Sequence, residues 1–151
     1  MKELTGSAAA DVAATSEECM ALLAAVERYP QWYPEVVKRV DVLERDPAGQ
    51  ATRANTKLHV SAGRMARDFE FVLRVEVQRP DVVRLVRIPH EPDDEEEFEV
   101  TWRVRDDGRR RLDLALAAVL PVPRLLPVGG IGDSLAQGFV AAAERELDRP
   151  H

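Results

Sequence analysis

The sequence predicts an α+β fold in which a curved antiparallel sheet of about seven strands closes on a long C-terminal helix. Three observations carry this reading. Runs with an apolar residue at every second position recur from Val36 to Ala118, as half-buried strands require. Turn residues divide those runs at Asp46-Pro47-Ala48-Gly49, Gly63, Arg79-Pro80-Asp81 and Asp107-Gly108. After Gly130 the apolar spacing changes from two to three and four residues, the spacing of one helix face.

Each element follows from its own pattern. Lys2 to Ala13 alternates through Leu4, Ala8, Ala10 and Val12 and reads as the first strand. Thr15 and Glu18 have capping-box spacing, so a helix begins there and carries Cys19, Leu22, Leu23 and Val26 on one face. Tyr29-Pro30-Gln31-Trp32-Tyr33-Pro34 holds two prolines, which limits it to a short helical turn or a structured loop. Strands are then expected over Val36–Arg45, Ala51–Ala62, Met65–Val77 and Val82–Ile88. Two more carry Phe98, Val100, Trp102 and Val104, then Leu112, Leu114, Leu116 and Ala118. Leu120 to Pro127 holds three prolines and cannot continue a central strand. The last helix presents Ile131, Leu135, Phe139, Ala142, Ala143 and Leu147, with Gly138 allowing a bend or a close approach to the sheet.

Composition excludes several classes. A chain of 151 residues with 45% hydrophobic residues fits one domain, expected to span residues 1–151. It needs no staple or metal to bury a core. A net charge of −6 and only short basic runs argue against nucleic-acid binding. Cys19 is the one cysteine, so no intrachain disulfide forms. No apolar signal core or bilayer-length apolar run is visible, and cytoplasm is the expected location. The charge leaves the oligomeric state open.

The segment Ala25-Val26-Glu27-Arg28-Tyr29-Pro30-Gln31-Trp32-Tyr33-Pro34-Glu35-Val36-Val37 resembles the "helix, then Tyr-Pro-x-Trp-x-Pro" signature of the START-like, Bet v 1-like superfamily. That superfamily includes polyketide cyclases and coenzyme-Q-binding proteins. The resemblance runs from Lys2 through Leu147 and includes a proline-rich loop before the last helix. It implies a helix-grip fold, with two short helices after the first strand and a ligand space between sheet and C-terminal helix. Lipids, sterols, quinones or polyketides occupy that space in such proteins.

Candidate site residues follow. Tyr29, Trp32 and Tyr33 stand out where aromatics make up 5% of the chain. They either close one end of a cavity or anchor the irregular segment to the sheet. Leu58, Val60, Phe69, Phe71, Val86, Ile88, Phe98, Trp102, Leu114 and Leu116 are expected inward, with Leu135 and Phe139 from the helix. Periodicity cannot separate a hollow core from a filled one. Arg67 is in phase with Met65, Phe69 and Phe71; it either points inward, where it needs a partner, or reaches solvent from a strand end. The resemblance to cyclases makes Tyr33 and Arg67 the catalytic candidates.

The remaining reactive residues lack motif partners. His59, His90 and His151 have no metal-ligand spacing, so no metal is expected, and no cofactor either. Cys19 reads as a buried structural thiol. Gly129-Gly130-Ile131-Gly132 lacks a phosphate-loop pattern and reads as a flexible lead-in to the helix. The acidic run Asp93 to Glu97 reads as a solvated edge. The apolar loop Leu120–Pro127 suits a lid or transient membrane contact, or tucks into the core. The leading expectation is a carrier or sensor of a hydrophobic small molecule. The alternatives are an aromatase/cyclase acting on a polyketide and an interaction protein with a filled core.

Overall fold

The computed structural model describes residues 2–121 and 130–149, apart from the side chain at position 62. The expectations for the loop through 122–129, for Gly129 and for His151 lie outside these residues. Seven strands form one antiparallel sheet: β1 (Lys2–Asp11), β2 (Val37–Arg45), β3 (Ala51–Ala62), β4 (Met65–Gln78), β5 (Val82–Arg87), β6 (Glu97–Asp106) and β7 (Arg110–Leu120). Their order is β1-β7-β6-β5-β4-β3-β2. From β2 to β7 each strand pairs with the next, as short turns dictate. The first two strands lie at opposite edges of the sheet. The chain crosses between them through α1 (Ser16–Ala24), a 3₁₀ turn (Val26–Arg28) and α2 (Tyr29–Trp32). Helix α3 (Ile131–Leu147) follows β7. The curved sheet and long last helix are those the sequence pattern predicts, in the helix-grip arrangement that the family resemblance implies.

Local chemistry sets the boundaries. The Glu18 backbone N–H donates to Thr15 Oγ1 at 3.1 Å, and the Thr15 N–H donates to Glu18 Oε1 at 3.1 Å, closing the capping box of α1. At the other end of α1, Tyr29 Oη donates to the Leu23 carbonyl at 2.7 Å and Gln50 Nε2 donates to the Ala24 carbonyl at 2.7 Å. Those carbonyls would otherwise lack partners at a buried helix end. Three register shifts in the β2–β3 pair mark bulges, which bend that edge.

The contact that sets the helix on the sheet is backbone to backbone. A Cβ on Gly6 of β1 would lie 2.1 Å from the Gly132 carbonyl carbon. A Cβ on Gly132 would lie 2.1 Å from the Thr5 carbonyl oxygen. The first turn of α3 therefore rests directly on β1. The Ser7 N–H then donates to Asp133 Oδ1 at 3.1 Å. Asp133 covers part of an edge strand and places a negative charge in the first helical turn. Gly132 is buried, so close approach explains it, and the reading of a flexible lead-in is corrected there. Gly130, just before the helix, does adopt a φ of 88°.

The acidic run is more than a solvated edge. Arg87 Nη2 donates to Asp94 Oδ2 at 2.6 Å and lies 3.6 Å from Glu96 Oε2. Only 9% of the Arg87 side chain is exposed, and its guanidinium lies 5.5 Å from the Phe71 ring centre. The hydrogen bond from Arg87 and two backbone N–H groups hold the Asp94 carboxyl down at about 2.

Gly132→Ala should lower stability by about 3 kcal/mol in chemical denaturation, because the new methyl meets backbone that cannot rotate away. Helix propensity alone would give the opposite sign, by about 1 kcal/mol. A neutral or stabilising result would show that α3 is free to lift from β1.

Candidate functional site

Helix α3 packs chiefly on β1, and next on β7, at one side of the concave face. The space toward β3, β4 and β6 is filled by large side chains rather than by the helix itself. Two apolar cavities remain there. The first has a volume of about 40 Å³ and is lined by Leu4, Val36, Leu58, Val60, Met65, Ala66, Arg67, Phe69, Phe71, Phe98, Leu116, Ala118, Leu120, Ile131, Leu135 and Phe139. The second, of about 20 Å³, is lined by Val26, Tyr29, Val37, Val40, Ala54, Thr56, Leu58, Leu73, Val75, Leu85, Phe98, Val100 and Phe139. Leu58, Phe98 and Phe139 belong to both walls.

Ten of the residues named as candidates border at least one of these cavities. Leu58, Val60, Arg67, Phe69, Phe71, Phe98, Leu116, Leu135 and Phe139 border the first cavity, and Tyr29 borders the second. The others are placed differently. Trp32 is buried against Tyr29, with ring centres 4.7 Å apart. Trp102 is fully buried and meets Phe139 edge-on at 6.3 Å. Leu114 is buried but borders neither cavity. Val86 and Ile88, expected inward, lie on the other face. Val86 pairs across the ladder with Arg74 and Glu99, which point outward, and Ile88 lines a groove beside Arg53, Glu70 and His90. The inward residues of β5 are Val83 and Leu85. A short β-branched strand reads equally well in both phases, so periodicity could not choose.

The two catalytic candidates occupy different places. Arg67 is exposed at the mouth of the first cavity. Its guanidinium donates to the Pro121 carbonyl at the end of β7 and lies 5.4 Å from the Phe69 ring centre. The strand-end reading of Arg67 therefore holds, with a partner added: it bridges the mouth from β4 to β7. Tyr33 borders neither cavity. It packs edge-on against Phe139 with ring centres 4.6 Å apart. Burial pushes its phenol up to about 12, with Glu35 adding to the effect. Gly138 makes room for it, since a Cβ there would lie 2.1 Å from Tyr33 Oη. The close approach expected at Gly138 is thus to a tyrosine ring, not to the sheet.

Other polar groups near the cavities are few. Tyr29 is buried and its phenol is pushed well above the ordinary range, chiefly by burial. Its proton is committed to the Leu23 carbonyl. Thr56 is the one buried polar residue among those described, and it borders the second cavity. The sequence signal for Thr56 was available: it is the polar member of the inward set Ala54, Thr56, Leu58 and Val60. Trp32 Nε1 and Trp102 Nε1 are buried without an acceptor in hydrogen-bond geometry. Cys19 is fully buried in α1, and burial pushes its thiol up to about 11. His59 sits on the outer face, with Nδ1 2.6 Å from Asp68 Oδ1.

Gly138→Ala should cost about 2 kcal/mol in thermal denaturation, because the added methyl meets the Tyr33 hydroxyl. Adding Tyr33→Phe should recover much of that loss, which a double-mutant cycle reads directly. Strict additivity of the two changes would show that Tyr33 does not set the requirement for glycine.

Comparison with known proteins agrees with this fold. A START superfamily protein from Mycobacterium smegmatis superposes with a TM-score of 0.75 at 16% identity, covering 95% of this chain and 97% of that one. The Zhui aromatase/cyclase from a Streptomyces species gives 0.62 at 18% identity, covering 98% and 95%. A major latex-like protein from Panax ginseng gives 0.64 at 10% identity, covering 96% and 95%. At these identities the likeness is one of fold. No curated protein sequence matches the chain. No helix among the described residues is long and apolar enough to cross a membrane. The sequence family described as "Polyketide cyclase / dehydrase and lipid transport" matches residues 12–144, and the chain belongs to that family.

Proposed function

We propose that the protein binds a hydrophobic small molecule between the sheet and α3, as a carrier or sensor rather than as a catalyst. The observation that carries this reading is the lining of the first cavity. Its walls are apolar side chains from β1, β3, β4, β6, β7 and α3, and the one charged residue among the described lining is Arg67 at the mouth. Such a surface gains by removing apolar ligand from water, while a single cation orients a polar end.

Catalysis on a bound ligand would need a proton donor and acceptor facing it. Tyr33 lies behind Phe139, and Arg67 is engaged with Pro121. Those two residues therefore do not form a facing pair. Tyr29 borders the second cavity, but its hydroxyl proton is already given to a backbone carbonyl.

The present volume of about 40 Å³ is far below the several hundred Å³ of a typical ligand site. Binding therefore requires side chains to move. Met65 and Arg67 on β4 are exposed and Leu135 on α3 is half-buried, so these lining side chains are the freest to move. Cytoplasmic location and a lipid, isoprenoid quinone or polyketide-like ligand are part of the same proposal.

Thermal shifts with lauric acid, decylubiquinone and the aromatic polyketide emodin test it. At least one should stabilise the protein, by about 2.7 kcal/mol at a hundred times its dissociation constant. Ala118→Phe, which fills the first cavity, should abolish that shift in a folded protein. No shift with any of the three, and no apolar molecule co-purifying from the native host, would overturn the proposal.

A further inference from the structure

Resting on the proposed function, we infer that the two cavities are halves of one slender channel, and that Thr56 selects a ligand with a neutral hydrogen-bonding oxygen at its inner end. Two independent observations meet here. First, Leu58, Phe98 and Phe139 border both cavities, so one layer of side chains separates them. Second, Thr56 is 5% exposed and borders the inner cavity, and its hydroxyl has no hydrogen-bond partner among the described residues.

A buried hydroxyl without a partner is costly, and valine would fit the same strand position with the same shape. Valine would also suit a strand at least as well. The threonine therefore brings to the inner cavity a hydroxyl that no described residue engages. It lies on the inward face of β3, between Ala54 and Leu58, and borders the inner cavity, so a guest there is the partner inferred for it.

The same lining fixes the kind of partner. Among the described residues no charged side chain borders the inner cavity. An ionised group there would be desolvated without compensation. The inner end of the ligand is thus a hydroxyl, a ketone or a quinone carbonyl. The nearby Tyr29 hydroxyl has already given its proton to Leu23, so it can only accept. Arg67 stands at the opposite end, at the mouth, where an anionic or strongly polar group stays close to water. The ligand class is a narrow apolar body with a neutral oxygen leading and a polar group trailing.

Isothermal titration of decanoic acid and its ω-hydroxy derivative tests this. The probes are titrated into the wild-type chain and into Thr56→Val and Thr56→Ser. The ratio of the two affinities should shift against the hydroxy acid by about tenfold in Thr56→Val, and Thr56→Ser should keep the wild-type ratio. The melting temperature of ligand-free Thr56→Val should equal or exceed that of wild type. An unchanged ratio in Thr56→Val would overturn the role of Thr56. If neither acid binds while decylubiquinone or emodin does, the slender channel is wrong and the proposed function stands. Silence from every probe would overturn both.

Discussion

The backbone contact between Gly6 and Gly132 fixes the geometry on which the rest of the structure depends. It brings the first turn of α3 so close to β1 that neither glycine has room for a Cβ. Further along, Ala136, Ala142 and Ala143 are buried small residues, whereas Phe139 projects into the space over the sheet. The helix is thus seated at one side of the concave face and propped by aromatic rings elsewhere. Tyr33, Trp102 and Phe139 form that prop through edge-on contacts. A close contact on one side and bulky rings on the other leave gaps where the curved sheet falls away from the helix. The cavities are a consequence of that arrangement.

Close packing makes such gaps informative. Side chains around a void lose dispersion contacts on one face, so a void carries a cost that a guest can offset. Here the two gaps share three side chains, Leu58, Phe98 and Phe139. Their walls hold few groups able to do acid–base work. Arg67 is tied across the mouth, and Tyr33 is turned away behind the phenylalanine. Burial pushes the phenols of Tyr29 and Tyr33 above their ordinary values, which makes either a poorer acid. The chemistry available inside is mainly desolvation, with orientation from the ends.

Much of the fold was legible because its signals are local. The capping box at Thr15 and Glu18, the turns at Asp46–Gly49 and Asp107–Gly108, and the change of period after Gly130 each mark a boundary that the structure shows. The inward phase of β4 was equally clear, since Phe69, Phe71, Leu73 and Val75 are all buried. What could not be read depends on contacts distant in sequence. Gly6 and Gly132 look like ordinary glycines until β1 and α3 are brought together. Arg87 looks like a surface arginine until Asp94 and Glu96 fold over it. The phase of β5 failed because Val82, Val83, Leu85 and Val86 offer apolar residues to both faces. In the site, periodicity identified the side chains around the cavities but not which of them border open space. Trp32, Trp102 and Leu114 are core, while Ala66, Ala118 and Ile131 are wall. That distinction depends on a few ångströms of helix placement, which no local pattern records.

The central claim is that the chain encloses an apolar space able to take an apolar guest. Xenon tests it most directly, because it needs no knowledge of the natural ligand and binds apolar cavities that exclude water. Crystals held under xenon gas should show a xenon site among Leu58, Phe69, Phe71, Leu116 and Phe139. Ordered water in that position, or side chains closed over it with no xenon bound, would contradict the account.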